Sequence, residues 1–216
     1  MLRAVGFGLG FAVPVTGLAL LVRERVDAVL DLDEAVIHAA TGVTREHPAL
    51  LSALLGWQEA LQPRWVYLVA SGVCLWVWRG RGLKTRAAWA FVTMMVSWNV
   101  ALDLKYVVGR ARPVIADAVS HAPGYSFPSG HAANTAAAGT VLVLLLWPLL
   151  RSPRARYAVL AAVALVIVLT AADRVFLGVH YPSDVLAGVL LGCGLALASY
   201  LGYVGWSPVA PPETET

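Results

Sequence analysis

The chain has 216 residues, of which 59% are hydrophobic and only 13% charged, and its mean hydropathy is +0.71. A soluble domain is normally about a quarter charged, so this composition excludes an ordinary water-soluble globule and points to a membrane protein. The net charge of +3 and pI near 9.1 do not describe a nucleic-acid surface, because the basic residues sit at the ends of apolar runs, where membrane topology demands them.

A membrane-spanning helix needs roughly 17–25 mostly apolar residues. Six stretches are read as candidate spans, at about 4–22, 65–79, 87–109, 131–150, 157–173 and 184–205, the second and fifth being the shortest. They predict an all-α, polytopic membrane bundle forming a single domain over 1–206, with "SPVAPPETET" contributing a disordered tail at 207–216. The first stretch follows Arg3 as a signal peptide would. However, "LALLVRER" offers no small-residue cleavage site, so it is taken as a span. Cys74 and Cys193 each lie inside an apolar segment without metal-ligand spacing.

Lysine and arginine in short loops set orientation. The links "RGRGLKTR" (79–86) and "RSPRAR" (151–156) carry bases and no acid, so both are expected on the cytoplasmic side. Six spans then leave both termini cytoplasmic and turn the segments 23–64, 110–130 and 174–183 outward. Within the first outer segment, Leu50, Leu51, Leu54, Leu55 and Leu61 recur at helical spacing behind Pro48. Residues 48–62 are therefore expected to form an amphipathic helix, either lying on the membrane surface or covering the bundle.

Three polar clusters follow. In "KYVVGRARP", Lys105 and Arg112 are seven residues apart and share a face if the helix continues to Pro113. Arg110 points off that face and fits a side chain snorkelling to headgroups. In "PSGH", Ser129 and Gly130 precede a span beginning near His131. A helix start offers unpaired N–H groups and the positive dipole end, a ready anion site, and glycine lets the backbone come close to a ligand. In "DRVFLGVHYPSD", His180 and Asp184 are four residues apart, within reach if Pro182 begins the next helix. A carboxylate on one imidazole nitrogen fixes the tautomer and leaves the other free to attack.

Each cluster alone has a structural reading: snorkelling bases, an N-cap serine, a capping aspartate. Together they place three cations (Lys105, Arg112, Arg174), a helix start and two histidines on one side of the membrane. That is an anion site equipped for nucleophilic chemistry. Zinc on His121, His131, His180 and Asp184 is the metal alternative. It would share a small volume with fixed cations at a cost of about several kcal/mol per pair, whereas a phosphate reverses every sign.

These residues resemble the signature motifs of the type 2 phosphatidic acid phosphatase superfamily of membrane lipid phosphatases. The pattern is Lys, six residues, Arg-Pro; Pro-Ser-Gly-His; then Arg, five residues, His, three residues, Asp, here spanning 105–184. One position departs: Asp173 stands where the family usually has serine, and it either weakens the pull of Arg174 on phosphate or positions it. The resemblance implies that Lys105, Arg112, Ser129, Gly130 and Arg174 hold the phosphate. It implies His180 as nucleophile, Asp184 as its orienting partner, and His131 as acid and then base, with no metal or other cofactor. Expected substrates are lipid phosphates such as phosphatidic acid, phosphatidylglycerol phosphate or undecaprenyl diphosphate, cleaved on the extracytoplasmic face. A vanadate haloperoxidase-like enzyme shares such a pocket but resembles soluble domains. A non-catalytic anionic-lipid binder or transporter would need the cations but no oriented histidine.

Overall fold

The computed structural model describes residues 2–115 and 119–205, so the expected tail at 207–216 lies outside the described residues. Among the described residues there are eight α-helices and no strand: α1 (Leu2–Arg23), α2 (Asp27–Glu46), α3 (Pro48–Ala60), α4 (Pro63–Gly80), α5 (Lys84–Val108), α6 (Gly130–Leu146), α7 (Pro153–Phe176) and α8 (Pro182–Val204). A 3-10 turn, Trp147–Leu149, extends α6. Proline stands in the first turn of α3, α4, α7 and α8, where its missing N–H costs nothing.

Five of these helices are long and apolar enough to cross a membrane: α1, α5, α6 with its 3-10 extension, α7 and α8. The remaining predicted span, at 65–79, does form a helix in α4. Its terminal arginines Arg64 and Arg79 and its tryptophans keep it out of that set. Val69 on α4, Val92 on α5 and Val168 on α7 are exposed, which suits a lipid-facing surface better than a wet one.

The largest departure from expectation lies in 23–64. One helix was expected there and two are present, because α2 precedes α3. Its buried residues Asp33, Ile37, Ala40, Thr41 and Thr44 recur at helical spacing, and they pin it across the ends of α7 and α8. Thr44 Oγ1 donates to the Phe176 carbonyl at 2.8 Å, and the Ser183 N–H donates to Asp33 Oδ1 at 2.9 Å. The helix expected at 48–62 is α3. It packs on α7, with Trp57 Nε1 donating to Thr170 Oγ1 at 3.2 Å.

The centre of the bundle is α6, which touches α4, α5, α7 and α8. Its residues Ala132 to Ala138 are all buried, and a helix apolar all round belongs in a core. Small residues let helices approach closely in lipid, where packing replaces the hydrophobic drive. A Cβ on Gly192 of α8 would stand 2.3 Å from the Ala133 carbonyl oxygen, and one on Gly188 would stand 2.7 Å from that of Ser129. This contact fixes the start of α8, with Asp184, against the start of α6, with Ser129. The Ser129 N–H donates to the Asp184 carbonyl at 2.9 Å.

Candidate active site

All three polar clusters meet at one end of the bundle: the C-terminal ends of α5 and α7 and the N-terminal ends of α6 and α8. The path taken by the first cluster differs from the helical one expected. Gly109, with φ of +65°, ends α5 in the left-handed conformation, its N–H donating to the Lys105 carbonyl at 2.9 Å. Glycine adopts that turn without a Cβ penalty. Lys105 and Arg112 therefore share no helix face, and a loop carries Arg112 into the site.

Both cations clasp the loop that leads to α6. Lys105 Nζ donates to the carbonyls of Pro128 (2.8 Å), Tyr125 (3.0 Å) and Ser126 (3.4 Å). A Cβ on Gly130 would lie 3.7 Å from Lys105 Cε. Arg112 Nε donates to the Pro123 and Gly124 carbonyls, both at 3.1 Å, and its NH1 to the Val179 carbonyl at 2.7 Å. That same NH1 lies 3.1 Å from His180 Nε2. Burial lowers the pKa of Arg112 below its ordinary value, against the pull of Asp184 and with a further push from Arg174.

The contact with Arg112 assigns the tautomer of His180. A guanidinium can only donate, so Nε2 accepts and the neutral ring carries its proton on Nδ1. Nδ1 faces Asp184 Oδ2 at 3.6 Å, just beyond hydrogen-bond distance. Burial drives the His180 pKa down to about 4. Asp184 opposes the shift, and Arg112 and Lys105 add to it.

Asp184 is itself held on every side. Its Oδ2 accepts from the Tyr181 N–H at 2.9 Å and from the Ser126 hydroxyl, and its Oδ1 accepts from Arg110 NH1 at 2.6 Å. Here the expectation for Arg110 is corrected. It does not snorkel: its side chain is 8% exposed and lies between two carboxylates, with NH2 reaching Asp33 Oδ2 at 2.7 Å. The Tyr181 ring covers it at 4.1 Å. Burial opposes its charge, but Asp184 and Asp33 more than offset this and raise its pKa above the ordinary value.

Ser129 Oγ and His131 Nε2 are buried and have no hydrogen-bond partner among the described residues. Buried polar atoms are nearly always paired, so two at one helix start mark where a polar ligand would be held. His131 also feels the charges of Arg174, His180 and Arg112, and the main chain of Gln58 lies beside its ring. Arg174 is 2% exposed. Asp173 Oδ2 accepts from both its Nε, at 2.8 Å, and its NH2, while NH1 donates to Gln58 Oε1 at 2.9 Å. Among the described residues no group of three or more His, Cys, Asp or Glu side chains gathers as metal ligands would.

Arg110, Asp33, Ser126, Ser183 and Gln58 were not expected at the site. The one sequence signal for any of them was the acid at 33 in helical register with Ile37, Ala40, Thr41 and Thr44.

A helical membrane bundle with histidines, arginines, a lysine and a helix start gathered at one end matches a known architecture, and residues 86–207 match the PAP2 superfamily. The chain belongs to that superfamily of membrane lipid phosphatases. It is 30% identical over 187 residues to phosphatidylglycerophosphatase B of Bacillus subtilis, across 81% of this chain and 85% of that one. To the lipid A 1-phosphatase of Rhizobium etli it is 35% identical over 125 residues, covering 54% of this chain but only 50% of the relative, so the match spans about half that protein's length. The crystal structure of the transmembrane PAP2-type phosphatidylglycerolphosphate phosphatase from Bacillus subtilis shares the fold. Its TM-score is 0.76 at 23% identity, covering 97% of this chain and all of that one.

Proposed function

We propose that the chain is a metal-independent lipid phosphatase that hydrolyses phosphomonoester or diphosphate headgroups on the extracytoplasmic face through a phosphohistidine. The observation that carries this is His180. Its Nε2 sits 3.1 Å from a guanidinium nitrogen, which can only donate to it, and its Nδ1 lies 3.6 Å from an anchored carboxylate oxygen, short of a hydrogen bond. A non-catalytic lipid binder has no use for a buried imidazole set between a cation and a carboxylate.

Each step assigns a role to residues already described. Lys105, Arg112, Arg174, the Ser129 hydroxyl and the N–H groups at Gly130 hold the phosphate oxygens and stabilise charge as phosphorus becomes five-coordinate. His180 Nε2 attacks phosphorus and the P–O bond to the lipid breaks. His131 gives its proton to the leaving oxygen, then takes one from the water that cleaves the P–N bond and frees inorganic phosphate. Asp184 holds His180 in register and offsets its positive charge. The three cations supply what a metal would as Lewis acid. The extracytoplasmic face is supported by the basic links 79–86 and 151–156, which join helix ends opposite the site.

The test is release of inorganic phosphate by purified protein in detergent with a chelator present, with phosphatidic acid and undecaprenyl diphosphate compared directly. Turnover of one or both at an undiminished rate is expected, and loss of turnover on adding chelator would restore the metal reading.

Asp173 gives a second expected result. It occupies two of the three nitrogens of Arg174, so phosphate must compete with a carboxylate for them. Asp173→Ser is expected to tighten inhibition by inorganic phosphate about three- to tenfold, roughly the net worth of one ordinary hydrogen bond. An unchanged inhibition constant would leave Asp173 with a positioning role alone.

A further inference from the structure

An apolar groove of about 340 Å³ runs between α4, α6 and α7, walled by Trp65 and Val69 of α4, Ala138 and Leu142 of α6, and Val163 and Ile167 of α7. Two helical stripes lead out of it. On α6, Leu142, Ala138, Thr135 and His131 follow one another at steps of four, three and four residues; on α7, Val163, Ile167, Thr170 and Arg174 do the same. That spacing keeps each set on one helix face, so both walls of the groove end at residues of the polar site.

The mouth is crossed by α3 and the residue after it. Trp57 bonds Thr170, Gln58 accepts from Arg174 NH1 and lies beside His131, and Ala60 and Leu61 line the groove itself. Thr135 Oγ1, where the groove nears the site, is buried with no partner among the described residues. Further in, α6 and α7 close on each other: a Cβ on Gly139 would stand 2.7 Å from Val163 Cγ1. From Thr135 to Leu142 the groove is about 10 Å long at 1.5 Å rise per residue.

We infer that this groove seats the head-proximal part of the substrate's hydrocarbon tail, with α3 as the roof that turns the headgroup toward His131 and Arg174. The inference rests on the lipid-phosphatase reading and adds to it the path of the tail. A hydrocarbon chain fits because the walls are apolar, belong to helices of the bundle, and continue into the site. The remainder of a long tail lies in the bilayer, so the groove recognises any saturated or prenyl chain near its head and discriminates little along its length.

A rival groove of about 400 Å³ lies between α1, α5 and α8 and includes Ala12. The test compares Ala162→Trp, at the exposed rim of the α4/α6/α7 groove, with Ala12→Trp in the rival. The quantity measured is the ratio of kcat/KM for dioleoyl phosphatidic acid to that for p-nitrophenyl phosphate, which has no tail. Ala162→Trp is expected to lower the ratio about tenfold and Ala12→Trp to leave it near the parent value; the reverse order overturns the inference. A second measurement does not depend on turnover. The His180→Ala protein is photolabelled with a phosphatidic acid carrying a diazirine near its headgroup. Label in peptides covering 135–142 or 163–167 supports the groove, and label confined to α1 or the second half of α8 overturns it. Should the parent protein release no phosphate from any lipid, the activity reading fails, while the labelling still decides where the tail lies.

Discussion

Replacing Arg110 with alanine is expected to destabilise the protein by about 3–5 kcal/mol, the usual cost of breaking a buried ion pair from one side, and to lower turnover at least tenfold. The guanidinium is nearly buried and bonds Asp33 and Asp184 with one nitrogen each, under the ring of Tyr181. Without it, two buried carboxylates face one another with no cation between them. Asp184 must then take up a proton or shift, and either change releases His180 from its orientation. Arg110→Lys rescues little, because an ammonium is a single point and cannot fork between two carboxylates. The measurements are thermal unfolding at a fixed scan rate in detergent and kcat on a lipid phosphate. Asp33→Asn alone should also lower the melting temperature, and the double variant should lose less than the sum of the two singles, because the partners share one network. An Arg110→Ala protein that melts and turns over like the parent would remove Arg110 from the site.

The contrast between Arg110 and Arg112 shows what local sequence can and cannot carry. Spans declare themselves by composition, and α1, α5, α6, α7 and α8 fall where hydropathy predicts them. The helix starts at Pro182 and Gly130 also rest on rules that act within one turn, and they leave His180 3.6 Å from Asp184, short of a hydrogen bond. The face argument for Lys105 and Arg112 did not hold, because it assumed a helix to Pro113 and Gly109 stops it four residues earlier. The two residues nevertheless meet near His180, through a loop whose course depends on carbonyls at 123–128 that no periodicity reveals. Asp33 lies 150 residues from Ser183, and Gln58 lies 116 from Arg174. Pairings at such separation are set by how α2 and α3 dock on the bundle, which a single sequence does not encode in any local pattern. Asp173 was visible as a departure with two readings. Its bond to Arg174 fits both, and the phosphate inhibition constant tells competition from positioning.

The sharpest chemical prediction concerns the two histidines. His180→Ala is expected to lose at least ~10³-fold in kcat, since the proposed mechanism routes the covalent bond to phosphorus through its Nε2. His131→Ala should behave differently with p-nitrophenyl phosphate, whose leaving group departs without a proton. Formation of the phosphoenzyme then survives while its hydrolysis, which needs a base, does not. An acid-labile, base-stable phosphoprotein should accumulate in His131→Ala and be absent from the His131→Ala, His180→Ala double variant. Label that survives in the double variant would move the nucleophile elsewhere. The pH profile supplies an independent check. In the proposed mechanism His180 attacks as the free base, and burial, opposed by Asp184, holds its pKa down to about 4. The acid limb of kcat/KM, which reports the free enzyme, should therefore lie well below the ordinary imidazole value of about 6.5. Over the same interval the unfolded chain accepts a proton that the folded one refuses, so stability falls as pH drops from about 6.5 toward 4. Brief exposure to acid followed by assay at neutral pH separates the two effects. Lost activity that returns belongs to protonation of the nucleophile, and lost activity that does not return belongs to unfolding.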